Sequence, residues 1–251
     1  MHKESLLDVP VTLGTWPSFV QSILHLTREE ENSSYVCLAN VHMVVEANTH
    51  DDFKSVLHNA DIIAPDGKPL TWALKMLYGI NQPRIAGMDL LPRLLSVAES
   101  YQLPVFFYGG TEQMQERTRS FLTEKYPDLI LAGFVSPPFR RLTDREEEEH
   151  ITIINRSGAK LLFVVLGCPK QEKWMARMKG RISACMVGIG GALPVMIGLQ
   201  KRAPEWMQKT GLEWFFRLIQ EPKRLFKRYL ITNSKFLYLL SRDIIRKKVL
   251  N

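Results

Sequence analysis

Few cysteines, no metal-ligand cluster and no long apolar run are the first features of this 251-residue sequence. Its three cysteines, Cys37, Cys168 and Cys185, are odd in number and widely spaced, so we predict buried thiols in a reducing compartment. The six histidines lack metal-ligand spacing, and no D-x-D motif is present. The sequence contains no run of 18 or more apolar residues, so we expect no membrane-spanning helix. Residues 1–10 lack the apolar core of a signal peptide.

The positive charge of the chain is concentrated at its carboxyl end. Ten Lys or Arg and two acids stand from Arg217 onward, a balance of +8 in a chain whose total is +7. Residues 1–216 are therefore close to neutral, and we expect any negatively charged partner to meet the tail.

Six short apolar stretches bounded by turn residues predict buried strands. They are Ser34–Ala39, Asp61–Ala64, Pro104–Tyr108, Leu129–Val135, Lys160–Leu166 and Cys185–Ile189. Helical patterns separate the predicted strands, and one of these patterns places Val44, Val45 and Leu57 on a single helix. The alternation predicts an α/β fold with a mostly parallel sheet and helices on both faces. After Gly191 only helical patterns follow, and Pro222 suits the first turn of the last one.

Polar residues and glycines follow the predicted strands, at the sheet edge where open α/β folds bind ligands. Asp66, between Pro65 and Gly67, is the most distinctive. Most acids beside glycine are turn formers, whereas a catalytic carboxylate is the alternative for an acid held so rigidly at a sheet edge. We expect His42, after another strand, to be a helix-start residue with a hydrogen-bonded ring.

Glycine pairs follow two more strands. Tyr108-Gly109-Gly110-Thr111 could bring backbone N–H groups to a phosphate, but the pattern alone favours a tight turn with Thr111 as N-cap. Gly190 and Gly191 lack the complete G-x-G-x-x-G spacing, so a nicotinamide cofactor is not expected.

The stretch Gly167-Cys168-Pro169-Lys170-Gln171-Glu172 opens another predicted helix. Pro169 suits position N1, which leaves Gln171 in the first turn, where its amide could bind a sugar hydroxyl. A solvated first turn, with Glu172 favoured by the helix dipole, is an equally good interpretation.

The tail segment EWFFRLIQEPKRLFKRYL (213–230) interleaves aromatic and cationic residues. It could lie on anionic lipid, bind nucleic acid or cap the core with a charged face. Its apolar share is too high for a nucleic-acid arm, so lipid is favoured. The side chains expected in the lipid interface are Phe226, Tyr229, Leu230, Phe236, Leu237 and Leu240.

Seven stretches, in this order and spacing, resemble the WecG/TagA/CpsF family of bacterial glycosyltransferases. They are ANVHMVVEA (39–47), ADIIAPDGKPL (60–70), RIAGMDLL (84–91), FFYGG (106–110), LGCPKQEKW (166–174), GIGGALPVMIG (188–198) and KRAPEWMQKTGLEWFFRLIQEPKRLFKRY (201–229). The resemblance implies a Rossmann-like core over residues 1–200 and a basic, amphipathic helical appendage over residues 201–251.

The resemblance also implies an activity. It is the inverting transfer of a hexosyl group, N-acetylmannosaminyl, glucosyl or similar, from a UDP-sugar to a polyprenyl-diphosphate-linked sugar, in synthesis of surface polysaccharide or teichoic acid. The UDP-sugar is a substrate, and no metal or other cofactor is implied. The expected location is peripheral, on anionic lipid at the cytoplasmic membrane face, without nucleic acid. Whether the chain forms a homo-oligomer in which a second copy covers the tail is left open by the sequence.

Residue roles follow from the same resemblance. Asp66 matches the general base, and Asn40 and Gln171 match residues that orient the donor. Arg217 and Arg224 match appendage arginines that neutralise the leaving diphosphate, so they and Gln171 join Asp66 as expected catalytic residues. A third cation would be Lys227 or Arg228. The other residues of the expected pocket are Arg84, Tyr108, Gly109, Gly110, Gly167, Pro169, Lys170, Gly190 and Gly191.

Two positions depart from the family pattern. Leu38 stands where many relatives have Thr, and Leu193-Pro194 stands where many have Phe-Asp. Both lie in the expected pocket, so the donor sugar is not implied and the activity could be reduced. A catalytically reduced peripheral membrane or scaffold protein on the same fold, and another Rossmann-like nucleotide-sugar enzyme such as an epimerase, are the alternatives.

Overall fold

The computed structural model describes residues 1–28 and 33–250. Within these residues there are eight strands. Their bounds are β1 Lys3–Leu6, β2 Val9–Thr12, β3 Ser34–Ala39, β4 Ile62–Pro65, β5 Val105–Gly109, β6 Leu131–Val135, β7 Leu161–Val165 and β8 Cys185–Gly188. The last six form one parallel sheet in the order β4-β3-β8-β7-β5-β6, whereas β1 and β2 form an antiparallel hairpin.

Helices cover both faces of this sheet, which confirms the predicted fold class. Their bounds are α1 Trp16–Leu26, α2 Val41–Ala47, α3 Asp51–His58, α4 Lys68–Tyr78, α5 Gly87–Ser100, α6 Glu112–Lys125, α7 Asp144–Arg156, α8 Lys170–Met178, α9 Ala192–Met196, α10 Glu205–Lys209, α11 Glu213–Gln220 and α12 Pro222–Leu250. The hairpin, α1, α4 and α9 are elements that the sequence patterns did not predict.

The strands are apolar on both sides because each side packs on helices. Along β3, Cys37 belongs to the cluster with α2, α3, α4 and α8, while Val36 and Leu38 belong to the cluster with α1, α5 and α9. This alternation makes the strands read as continuous apolar runs, which is why all six sheet strands are found within two residues of their predicted bounds.

Two local predictions are wrong. Val44 and Leu57 do not share a helix, because α2 ends at Ala47 and α3 begins at Asp51. Pro169 is the N-cap of α8 rather than its first helical residue, and it follows a cis peptide bond. Thr111 is the N-cap of α6, and α12 begins at Pro222, as predicted.

The long helix α12 packs lengthwise on α2 and α4. Its buried face is formed by Leu225, Thr232, Phe236 and Leu240, spaced by seven and four residues, as expected for one helix face. Phe236 and Leu240 belong to the main core cluster, so the expectation that these two side chains enter lipid is wrong. No helix in the described ranges is long and apolar enough to cross a bilayer.

Candidate active site

Asn40 and Asp66 lie side by side at the carboxyl ends of β3 and β4. The Asp66 N–H donates to the Ala39 carbonyl across 2.8 Å, and the Asn40 Oδ1 caps α2 by accepting from the Met43 N–H at 3.2 Å. A Cβ placed on Gly67 would lie 3.6 Å from the Asn40 Cα, which measures how closely the two loops approach. With Oδ1 engaged as a cap, the Nδ2 group is the part of Asn40 that could meet a ligand.

The carboxyl group of Asp66 has the perturbed proton affinity expected of a catalytic acid or base. Burial raises its pKa to about 7, and the negative charge of Glu213 acts in the same direction. Arg84, Arg217 and a hydrogen bond from the Gly87 N–H oppose that rise. A carboxylate with a pKa near neutrality can accept a proton in one step and release it in the next.

Arg84 forms an ion pair that joins the loop before α5 to helix α11. Its Nη1 lies 2.5 Å from Glu213 Oε2, and the two side chains are only 12% and 15% exposed. Asp89 approaches the same guanidinium at 3.8 Å and also pairs with Arg202. The sequence placed Arg84 in the pocket but did not identify Glu213, whose available signal was its position four residues before Arg217 in the same motif.

The guanidinium of Arg217 reaches the sheet edge beside Asp66. A Cβ on Gly191 would lie 2.8 Å from its Nη2, so the arginine covers the loop that follows β8. A shallow groove, open to solvent, lies beside this arginine. Its lining residues are Met88, Val195, Gln200, Lys201, Ala203, Glu213, Arg217, Gln220 and Glu221.

The other cations predicted from the tail are placed differently. Arg224 is exposed and pairs with Glu221, a residue that lines the groove. Lys227 is exposed to solvent, and Arg228 is half-buried. Arg217 is therefore the tail cation that the structure brings to Asp66, and Arg224 lies next to the groove.

Arg228 lies close enough to His42 on α2 to affect its titration. Burial lowers the pKa of His42, and the charge of Arg228 lowers it further. Among the described residues neither His42 Nδ1 nor Arg228 Nε has a hydrogen-bond partner. His42 is a helix-start residue as predicted, but the expectation of a fully hydrogen-bonded ring is wrong.

Gln171 is buried between the ends of β7 and β8. Its Oε1 accepts from the Gly167 N–H at 3.2 Å, and its Nε2 donates to Glu172 Oε1 at 2.7 Å. Cβ atoms placed on Gly188 and Gly190 would lie 2.9 Å and 3.1 Å from this amide. These two glycines are therefore needed for space, and the amide is fixed in one orientation.

Glu172 is fully buried, contrary to a solvated first turn. Burial raises its pKa to about 7, while the hydrogen bond from Gln171 acts in the opposite direction. Apart from the motif itself, no sequence pattern predicts this burial, because an acid in a first helical turn is usually exposed. If Glu172 is neutral, its carboxyl proton lies next to the side-chain amide of Gln171, which faces Gly190.

The remaining predicted pocket residues divide into two groups. Gly109 and Gly110 follow β5 at the same sheet edge, with left-handed φ values of 109° and 76°, and the Gly110 carbonyl accepts from the Ser136 hydroxyl at 2.7 Å. Tyr108, by contrast, is buried, with its ring stacked on Trp174 and its hydroxyl 3.2 Å from His150 Nδ1. Its side chain belongs to the core, and only its backbone is near the edge.

Around the Gln171 loop, Gly167 has a left-handed φ of 76°. Pro169 is partly exposed and Lys170 is exposed. Leu38, one of the two positions expected to depart from the family pattern, packs against Gly87, where an added Cβ would lie 3.0 Å from its Cδ1. The Pro194 carbonyl accepts from the Leu199 and Gln200 N–H groups at 2.8 Å and 3.0 Å.

Comparison with known proteins identifies relatives over most of this chain. Two similar proteins are both described as N-acetylglucosaminyldiphosphoundecaprenol N-acetyl-beta-D-mannosaminyltransferase. The one from Bacillus subtilis (strain 168) is 28% identical over 225 residues, which cover 89% of this chain and 86% of the relative. The one from Staphylococcus aureus (strain MW2) is 29% identical over 231 residues, 89% of this chain and 87% of the relative. The glycosyl transferase WecG/TagA/CpsF family matches residues 4–249, and because this match includes both the sheet and the tail helices, the chain belongs to that family.

Proposed function

We propose that this protein transfers a hexosyl group from a UDP-sugar to a sugar carried on a polyprenyl diphosphate, with inversion at the anomeric carbon. The observation that carries the proposal is the partly buried Asp66 carboxyl, with a pKa raised to about 7, near Arg217 of the appendage. The names of the two relatives make N-acetylmannosamine the first donor sugar to test and a GlcNAc-diphosphate lipid the first acceptor.

In this proposal Asp66 is the general base. A hydroxyl of the acceptor sugar attacks the anomeric carbon from the face opposite UDP, and ionised Asp66 takes its proton as the new C–O bond forms. The bond between the anomeric carbon and the UDP oxygen breaks, and UDP departs with the bonding electrons. Product release and loss of the proton to solvent return Asp66 to its ionised form.

Arg217 supplies the positive charge that the departing diphosphate requires. A guanidinium matches phosphate oxygens with two parallel hydrogen bonds, and the position over Gly191 puts this one at the sheet edge. Arg224 would join it once a phosphate competes with Glu221. We propose that these arginines do the work that a D-x-D-bound metal does in other sugar-nucleotide transferases, with no cofactor required.

We also propose that the tail rests on anionic lipid at the cytoplasmic face of the membrane. The outer face of α12 exposes Phe226, Leu230 and Leu237, each more than 60% accessible, with Lys223 and Lys227 among them. Apolar side chains flanked by lysines are typical of interfacial helices. This placement would bring the groove beside Arg217 close to a lipid-linked acceptor.

The experiment is a transfer assay with a panel of UDP-hexoses and a detergent-solubilised GlcNAc-diphosphate polyprenol. We expect one donor to give product, with an inverted anomeric configuration by NMR and a rate unchanged by EDTA. Retention of configuration would contradict the role of Asp66, and inhibition by EDTA that added metal reverses would contradict the role of the arginines. UDP binding by titration calorimetry without transfer to any acceptor would favour the catalytically reduced protein.

A further inference from the structure

Helix α11 carries Arg217 to the sheet edge, yet none of its residues is buried. Most helices in proteins are held by an apolar face packed on the core. Two of its polar contacts reach the sheet edge, namely the Arg84 pair of Glu213 and the contact of Arg217 with Gly191. Elsewhere Gln220 donates to the Lys201 carbonyl at 3.2 Å, and the Trp214 ring meets Tyr229 of α12. Of these contacts, the Glu213–Arg84 pair is the one that joins α11 to the core segment beside Asp66, and a single substitution can remove it.

Glu213 and Arg217 are four residues apart, so they lie on the same face of α11. Arg84, the partner of Glu213, stands in the loop before α5, where the neighbouring Ile85 N–H donates to the Pro65 carbonyl at 2.8 Å, next to Asp66. The ion pair is thus formed between the segment that holds Asp66 and the helix that carries Arg217. Because both side chains are largely removed from water, loss of Glu213 leaves the Arg84 charge with only the longer 3.8 Å contact to Asp89 to offset it.

We propose that Glu213 is a positioning residue, whose ion pair with Arg84 fixes α11 across the sheet edge so that Arg217 faces Asp66. This inference rests on the proposed function, since it assigns a role to the contacts between the base and the leaving-group arginine. It gives Glu213 no contact with substrate.

The same carboxylate has a second, electrostatic effect. The charged groups that face Asp66 are Glu213, Arg84 and Arg217. Glu213 is the negative one of the three, and its charge raises the proton affinity of Asp66. Glu213 therefore also helps to hold Asp66 in the range where it can exchange a proton near neutral pH, against the opposite effect of Arg217 on the same helix.

Hydrogen exchange on the full-length protein tests the positioning role. For Glu213→Ala we expect the amides of α11 to exchange at least about tenfold faster, while those of β3 and β8 keep their protection. The control is Glu205→Gln on α10, which removes an exposed pair with Lys209 at 3.5 Å and should leave α11 unchanged. Unchanged exchange of α11 in folded Glu213→Ala would overturn the proposal.

The pH dependence of kcat/KM tests the electrostatic effect with Glu213→Gln, which keeps the shape of the side chain and a hydrogen bond to Arg84. We expect the acid limb to move to lower pH by on the order of half to one unit, and no shift in Glu205→Gln. If the acid limb of kcat/KM in Glu213→Gln stays at the wild-type pH, the proposed electrostatic effect of Glu213 on Asp66 is overturned. Asp66→Asn in the same assay separates the two hypotheses: if it retains wild-type turnover, the proposed function fails whatever Glu213 does.

Discussion

The guanidinium of Arg217 occupies the space next to the Cα of Gly191, so that a single added methyl group at residue 191 would lie 2.8 Å from its Nη2. This contact at the sheet edge joins α11 to the loop that follows β8. The proposed leaving-group contact depends on that residue having no side chain.

Gly191→Ala tests this contact. The backbone of Gly191 has φ −71° and ψ 0°, which alanine adopts without strain, so the added methyl group acts mainly on the arginine. We expect kcat to fall about 10- to 100-fold, because a displaced cation stabilises the departing diphosphate less well, with a melting temperature close to wild type. In an Arg217→Ala background the same substitution should have no further effect, and a full second loss there would contradict the contact.

The raised pKa of Asp66 predicts how stability changes with pH. Its folded-state pKa of about 7 lies above the usual 3.8, so the folded protein binds this proton more tightly than the unfolded chain does. The contribution is fully present below pH 4 and is lost as pH rises to 7. Asp66→Asn should therefore be more stable than wild type at pH 8, by up to about 4 kcal/mol. Urea unfolding at pH 4 and pH 8 measures this difference, and an equal difference at both pH values would contradict the shift.

Glu172 is expected to fix the amide of Gln171 for the donor sugar. Glu172→Met leaves the Gln171 Nε2 without its acceptor, at a cost of about 1–3 kcal/mol, and should raise the donor KM about tenfold. Glu172→Gln keeps an acceptor oxygen and should retain a KM near wild type.

The matched control for that pair is Asn155→Leu. Asn155 makes two hydrogen bonds, with the Arg181 carbonyl and the Ser183 N–H, near the opposite end of β8. We expect it to lower stability without changing the donor KM. Equal KM values in Glu172→Met and wild type would show that the buried acid serves only the fold.

The exposed face of α12 predicts binding to anionic lipid. Replacing Phe226, Leu230 and Leu237 with serine should reduce flotation with phosphatidylglycerol vesicles about tenfold or more, because each buried apolar side chain contributes about 1.5–3 kcal/mol. Phe139, which is 93% exposed in the loop between β6 and α7, provides the control as Phe139→Ser. Equal loss in both proteins would contradict a specific docking face.

The sequence predicted the sheet well because each strand is a short apolar run that ends in turn residues, as Ile62–Pro65 does before Asp66. It missed the hairpin of residues 3–12, where a polar edge hides the pattern. The sequence also did not distinguish the buried face of α12 from its exposed face. Phe236 and Phe226 have the same chemistry, and only the packing of α12 on α2 and α4 decides which one is buried.

For the site, the sequence could predict residues that follow strands but not their partners. Asp66 was identifiable from its position, whereas its raised pKa depends on burial and then on Glu213, more than 140 positions away along the chain. The interior location of Glu172 and the use of the Asn40 Oδ1 as a helix cap are likewise tertiary effects. The family resemblance identified the tail arginines. Only the folded structure distinguishes Arg217, which lies near Asp66, from Arg228, which lies beside His42.

The central claim is that Asp66 accepts the proton of the attacking hydroxyl. The most direct measurement is the single-turnover rate of sugar transfer at pH 8 for wild type and Asp66→Asn, with circular dichroism to verify that both are folded. We predict a rate lower by about 10²- to 10⁴-fold in the variant, with UDP binding retained. A rate within about threefold of wild type would contradict the claim.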